Sequence, residues 1–197
     1  MSRTAAPELE TERLRFRMLR ESDFPTLEKH AADINVMRYL GGKTMDTIQA
    51  WRHMAYMIAH WQLRGYGYYA VEEKTTSTLV GRVGYTNQTG WPGFELGWTI
   101  WPEFQGRGYA SEAARMLLRY AFAELDQPHV ISLIHPDNAA SRRVAEKLGE
   151  TIEGEGQIMT MPCLIYGIAR ANTAVRVGRS SDTPRGNNAG TDPSPSS

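Results

Sequence analysis
The chain has one cysteine, Cys163, in 197 residues. That excludes an internal disulfide and any metal cluster built on thiolates. It also lacks an excess of either charge, since 22 Lys and Arg balance 22 Asp and Glu. Such a balance argues against a partner held by nonspecific phosphate attraction, so no nucleic acid is expected. No apolar run approaches the roughly 20 residues a membrane span requires. Met1 to Pro7 do not form the hydrophobic centre of a secretory signal. The expectation is a cytoplasmic protein with no membrane partner and no required metal.

What is present is ordinary for a folded domain: 41% hydrophobic and 22% charged residues, enough for one core. The first eight residues read as a flexible lead-in and residues 9–170 as one domain. Residues 171–197, rich in Gly, Ser, Pro, Asn, Thr and Arg, read as a disordered tail. Within the domain the pattern alternates. Strands are predicted near 11–19, 66–72, 79–87, 94–101, 129–135, 151–156 and 162–169. Helices are predicted over about 23–32, capped by Ser22, and from Asp46 or Thr47 to Gly65, with Trp51, Met54, Ala55, Ile58 and Trp61 at helical spacing. Two further helices run over 108–125 and 138–148. Strands first in a meander, then linked through helices, imply an α/β fold with a mixed sheet and helices on both faces.

The stretch from Phe94 to Ser111 carries the strongest chemical signal. A strand ends at Ile100-Trp101-Pro102, and Gln105-Gly106-Arg107-Gly108-Tyr109-Ala110-Ser111 opens a helix. A glycine-bearing loop entering a helix leaves backbone N–H groups converging beside the positive end of the helix dipole, a site suited to a pyrophosphate. It is not a P-loop, because Tyr109-Ala110 stands where Lys-Ser or Lys-Thr is needed. It misses the dinucleotide fingerprint, because Ser111 occupies the third glycine position.

Gln105-x-x-Gly108-x-Ala110, after Ile100-x-Pro102, resembles the acetyl-CoA loop of the GCN5-related N-acetyltransferase superfamily. Three further segments match in order: the strand Val130–His135 with Asn138-x-x-Ser141, the helix end Val144–Gly149, and the opening Glu12-Arg13-Leu14-Arg15-Phe16-Arg17, which is similar to the ribosomal-protein-alanine acetyltransferase branch. The resemblance spans about residues 9–170. It implies one acyltransferase domain that moves acetyl from acetyl-CoA to a primary amine by direct attack in a ternary complex.

By the same resemblance, Gln105, Gly106, Arg107, Gly108, Tyr109, Ala110 and Ser111 hold the pyrophosphate, and Ile100 pairs its backbone with pantetheine. That pairing requires the strands at 94–101 and 129–135 to splay. Asn138 contacts pantetheine, and Ser141 faces the sulfur and is a candidate proton donor. The superfamily's usual Tyr donor is replaced by Ala145. Otherwise water protonates the thiolate, or it leaves unassisted, since a thiol pKa is about 8.5. Glu95 is the candidate base, acting through water on an amine of pKa about 8 to 10. His135 is a second candidate, better suited to packing in its turn, and Glu72 and Glu73 are read as solvated. Arg107, Arg142, Arg143 and Lys147 are candidates for the CoA 3′-phosphate, and Trp51, Trp61, Tyr66, Tyr68, Tyr69, Trp91 and Trp98 form a dense aromatic set. Some of that set are expected in the acceptor pocket, and Cys163 is expected inside a strand. The acceptor is left open between a protein N-terminus and a small molecule (antibiotic, polyamine or amino acid). A non-catalytic CoA-binding domain is the remaining alternative. Both monomer and homodimer are compatible with the sequence.

Overall fold
In the computed structural model, residues 6–158 and 160–170 are described. The leading residues 1–5 and the tail 171–197 lie outside them. The elements follow the chain as β1 (Leu9–Glu10), β2 (Leu14–Met18), α1 (Phe24–Ala31), α2 (Ile34–Met37), α3 (Thr47–Arg64), β3 (Tyr68–Glu73), β4 (Thr78–Thr86), β5 (Glu95–Ile100), α4 (Tyr109–Ala123), β6 (His129–Ile134), α5 (Ala139–Leu148), β7 (Thr151–Ile158) and β8 (Met161–Ala169). One sheet runs in the order β1-β2-β3-β4-β5-β6-β8-β7, with β5 and β6 the parallel neighbours. The expected mixed sheet is there, with every strand anticipated except the two-residue β1.

Period-two alternation sorts the core. Leu14, Phe16, Tyr69, Val71, Val83 and Tyr85 pack under α4 through Ala113, Ala114, Leu117 and Ala121. Tyr85 Oη donates to the Leu117 carbonyl at 2.5 Å and ties that helix to β4. Ala70, from the other face of β3, packs with Leu19, Leu27, Met54, Met57 and Trp101 beneath α1 and α3. Helix α5 lies beside α4, its Val144 and Leu148 reaching the first cluster.

Four local expectations need correction. Ser22 does not cap α1; it sits inside a one-turn 3-10 helix, Glu21–Asp23, and Asp23 is the N-cap residue. The Asp23 carboxylate is engaged elsewhere, with Arg17 Nη1 and Nη2 at 2.7 and 2.8 Å. Glu72 is buried rather than solvated, because Arg17 Nε donates to it at 2.8 Å. Trp51 is 50% exposed; the buried stripe of α3 is Ala50, Met54, Met57 and Trp61. Finally, α2 is unanticipated, as four residues are too short for periodicity to register.

Arg17 therefore holds two buried carboxylates with one guanidinium. Arg17→Ala leaves Asp23 with only the Arg20 N–H and Glu72 with only the 3.5 Å contact to Arg20, and should cost about 3 kcal/mol. Urea unfolding of the variant measures it, and a loss below 1 kcal/mol would show the network to be unimportant.

Candidate active site
The parallel contact between β5 and β6 is a single register pair, Glu95 with Ile131, flanked by the bond from Ile131 N–H to the Phe94 carbonyl at 2.9 Å. Beyond it the two strands part, the splay that the family resemblance implies. Ser132 Oγ donates to the Leu96 carbonyl at 2.9 Å and spans the start of the gap. A cleft of about 560 Å³ opens there, lined by β5, the loop after it, β6, the start of α5, and the α2 segment up to Leu40.

The loop is built as its composition demands. Gly106 and Gly108 have φ of +78° and +83°, in the left-handed region. A Cβ on Gly106 would meet nothing, and one on Gly108 would meet only Arg13 Nη2 at 3.5 Å. Their need for glycine is thus backbone conformation rather than crowding. Gly108 is the N-cap position of α4 with no side-chain cap, so first-turn N–H groups stay open toward the cleft. Gln105, Gly106, Gly108, Tyr109, Ala110 and Ser111 line it. Arg107 does not; its guanidinium lies over the Phe104 ring and donates to the Glu103 carbonyl at 3.2 Å. The Tyr109 hydroxyl also turns away and donates to Glu73. Gln105 Nε2 donates to the Ile100 carbonyl at 2.9 Å, bracing the strand end with the side chain expected to face the pyrophosphate.

The front motif has a structural use that its sequence did not disclose. Arg13 Nη1 donates to the Arg107 carbonyl at 3.0 Å, and its Nε donates to Glu112 at 2.7 Å. Thr11 Oγ1 donates to the same carboxylate at 2.6 Å. The first strand pair thereby pins both the loop and the first turn of α4.

On the far wall, Asn138 is the N-cap of α5 and its side chain accepts from the Ser141 N–H at 3.1 Å. Asn138 and Ser141 both line the cleft, with Arg143 and Lys147 beyond them. Arg142 is not on that wall; it donates to the Tyr166 hydroxyl and the Pro136 carbonyl. Ala145 is buried against Ile134, Leu164 and Tyr166, so no hydroxyl reaches the cleft from that position. His135 accepts from the Asp137 N–H at Nδ1 and lies 5.2 Å from the Tyr39 ring, whose hydroxyl donates to the Asp137 carbonyl. Through Tyr39 the α2 segment reaches the opposite wall of the cleft.

Glu95 sits where the gap begins. It is 9% exposed and lines the cleft. Burial pushes its pKa up to about 7, against the Trp91 indole N–H at 2.6 Å, the Leu133 backbone and the attraction of Arg82, all of which favour the anion. Gly97 leaves room for the Tyr68 hydroxyl beside this group: a Cβ there would collide with Tyr68 Oη, while Glu95 Oε1, at 3.6 Å, would be in ordinary contact. Trp91, Tyr68 and Trp98 are thus the members of the aromatic set that serve the site, while Trp61 and Tyr69 are core. Cys163 is buried in β8 as expected.

Arg82, Ser132 and Glu150 escaped the sequence reading. Glu150 lies in the turn after α5, and Ser132 Oγ is 3.2 Å from its Oε1. Its Oε2 is buried without a partner, and burial raises its pKa to about 8. A buried carboxyl has no distinctive spacing. Only the turn after Gly149-Glu150 could have drawn attention to it.

Residues 13–151 match the family model of the acetyltransferase (GNAT) domain. The chain is a GNAT acetyltransferase. The uncharacterized N-acetyltransferase YnaD of Bacillus subtilis is 30% identical over 148 residues, covering 73% of this chain and 82% of YnaD. Among solved structures, an acetyltransferase from Agrobacterium tumefaciens superposes with a TM-score of 0.77 at 31% identity, covering 83% of this chain and 95% of that one. The ribosomal-protein-S5-alanine acetyltransferase of Vibrio fischeri shares the fold, with a TM-score of 0.68 at 18% identity, covering 83% and 96%. The protein is accordingly an acetyl-CoA-dependent N-acetyltransferase, and the split strands and open loop fit that co-substrate.

Two outcomes follow for the GNAT site. Arg13→Ala should raise the KM for acetyl-CoA several-fold with little change in kcat, because it frees the loop without touching the reacting groups; steady-state kinetics decide it. Glu150 has a folded pKa above its unfolded value, so its contribution to stability is complete below about pH 4.5 and lost as pH rises toward 8. The melting temperature should therefore fall over that window, and Glu150→Gln should flatten the fall. An identical pH profile in the variant would show that the carboxyl is not held neutral.

Proposed function
We propose that the protein acetylates a primary α-amine by direct attack on acetyl-CoA in one ternary complex, with Glu95 as the base. The observation that carries this is a buried carboxyl of pKa about 7 at the point where β5 and β6 separate. When bound, acetyl-CoA supplies an activated acetyl thioester. The loop N–H groups from Gly106 to Ser111 hold its pyrophosphate, and the free backbone of β5 up to Ile100 holds its pantetheine arm. Asn138 orders the first turn of α5 beside it.

The amine arrives mostly protonated, at a pKa of about 8. Glu95 takes that proton directly or through one water, and its pKa near neutrality suits the exchange. Trp91 keeps the carboxylate fixed as it changes charge. Ser141, on the wall of the cleft, relays a proton to the departing thiolate, taking one from water as it gives up its own. Because a thiol is a good leaving group, Ser141→Ala should lower kcat far less than a change at Glu95.

A polyamine is not the acceptor this cleft favours. Apart from Arg143 and Lys147, the candidates for the CoA 3′-phosphate, its lining among the described residues has one carboxylate, Glu95, against Arg38 and Arg82. The resemblance of the opening segment Glu12–Arg17 to the ribosomal-protein-alanine acetyltransferase branch supports an α-amine, as in a protein N-terminus. The charge of the cleft supports a small acceptor that carries an anion.

Glu95→Gln tests the assignment. For wild type, kcat/KM should rise with pH through about 7 as the carboxyl ionises. In the variant that limb should vanish and kcat should drop by about 10² to 10⁴. Turnover within a factor of three of wild type, with the limb retained, removes Glu95 from the mechanism.

A further inference from the structure
Arg82 is a buried cation with no ion-pair partner among the described residues. It lies mid-strand in β4 and is 9% exposed. Among the described residues its one hydrogen-bond contact is Nη1 to Met57 Sδ at 3.0 Å, and a thioether is a weak acceptor. Its guanidinium stands over the Tyr68 ring, 5.1 Å from the centroid. Among the described residues it makes no ion pair, although it feels the fields of Glu95, Tyr68 and Tyr56. Arg17 shows the contrast: though less enclosed, it has Asp23 and Glu72 against its guanidinium at 2.6 to 2.8 Å. Neighbouring His53 cannot compensate. Burial and the charge of Arg82 hold it neutral, and its Nε2 is itself buried without a partner.

Strand register fixes where this cation looks. Arg82 is paired with Thr99, and by alternation Thr99, Gly97 and Glu95 share one face of β5. Tyr68 lies on the same face, since Ala70 is the partner of Arg82 across β3 and β4. Arg82, Tyr68 and Glu95 all line the cleft, covered by Asn35, Val36 and Leu40 from the α2 segment. The loop that binds pyrophosphate leads into α4, on the opposite face. Arg82 is therefore on the side from which the acceptor reaches Glu95. A guanidinium presents a planar fork of donors that matches a carboxylate two bonds at a time. Its missing counter-ion is on a wall that a substrate must touch.

We propose that Arg82 binds a carboxylate on the acceptor itself, so that the molecule acetylated is a free amino acid or a close analogue, with its amine at Glu95 and its acid group at Arg82. The assignment rests on the reading of this cleft as the transfer site. It also explains the unequal charge of the lining: acceptor binding supplies the anion that Arg82 lacks, while a polycation would meet an unneutralised guanidinium.

The test is thiol release from acetyl-CoA with the twenty L-amino acids, each compared with its carboxamide, its decarboxylated amine and its aminophosphonate, and with short peptides. At least one free amino acid should exceed its carboxamide and its amine in kcat/KM by about 100-fold or more, since a site built for a charged partner leaves its donors unpaired when that partner is missing. Arg82→Met should abolish the preference by raising the KM for the acid, and Arg82→Lys should restore part of it. The melting temperature of Arg82→Met should equal or exceed that of wild type, because an unpaired buried charge has been removed. A fall of the kind expected for Arg17→Ala would mark Arg82 as a structural residue and overturn the proposal. So would equal turnover of acid and carboxamide, preference for an aminophosphonate, or turnover confined to peptides. Transfer to amines of any kind without a carboxylate preference refutes Arg82 alone. Silence toward every amine, with acetyl-CoA binding intact by calorimetry, refutes the transfer reading beneath it.

Discussion
Backbone polar groups that leave a sheet ladder must find another partner, and the parting of β5 from β6 creates a run of them. One parallel pair, Glu95 with Ile131, is made before the strands diverge. Every later donor and acceptor on the facing edges has to be met by something else. Ser132 meets the Leu96 carbonyl, and Gln105 meets the carbonyl of Ile100. The groups between them face a cleft shaped for an extended amide-bearing ligand, which can pair as an added strand would. On the proposed function, cofactor binding is completion of a sheet that the chain leaves open.

The surrounding structure keeps that opening from closing or spreading. Glu95 and Ser132 stand at its apex, with Glu150 behind them. Arg13 and Glu112 secure the loop at its wide end, and Tyr39 links the α2 segment to the turn before α5. Two buried carboxyls, Glu95 and Glu150, each have a pKa raised by desolvation, and the charge of Glu95 raises that of Glu150 further. An isolated anion in that position would be expensive. The Trp91 indole and the Ser132 hydroxyl moderate the cost without removing it. That residual cost is what leaves a carboxyl able to exchange protons near neutral pH.

The same economy of partners separates two arginines of one sheet. Arg17 is saturated with carboxylates and behaves as a fastener between β2, β3 and the 3-10 turn. Arg82 has a thioether and an aromatic face, and it borders both the cleft and a small cavity beneath α1 and α3. Identical side chains thus take opposite roles according to what stands opposite them. Nothing in the residues beside each one in sequence distinguishes the two.

The linear sequence determined the features that depend on neighbours a few positions apart. The left-handed glycines at 106 and 108, the capping box of Asp46 with Gln49, the Asn138 cap and the alternation that orders the strands are all local, so their signals survive in one dimension. Family membership followed from those same segments in order. Other features joined residues far apart in the chain and had no local signature. Thr11 and Arg13 meet Glu112 across about a hundred positions, Ser132 meets Glu150 across a turn of helix and loop, and Tyr39 meets Asp137. The positions of Arg107 and Tyr109 within the loop were legible, but the direction of their side chains was not, because Phe104 and Glu73 decide it. Glu95 could be named from its strand, whereas its raised pKa and the unpaired charge of Arg82 beside it exist only after folding. Desolvation and the count of available partners are properties of three-dimensional enclosure, and no spacing of residues along a chain encodes them.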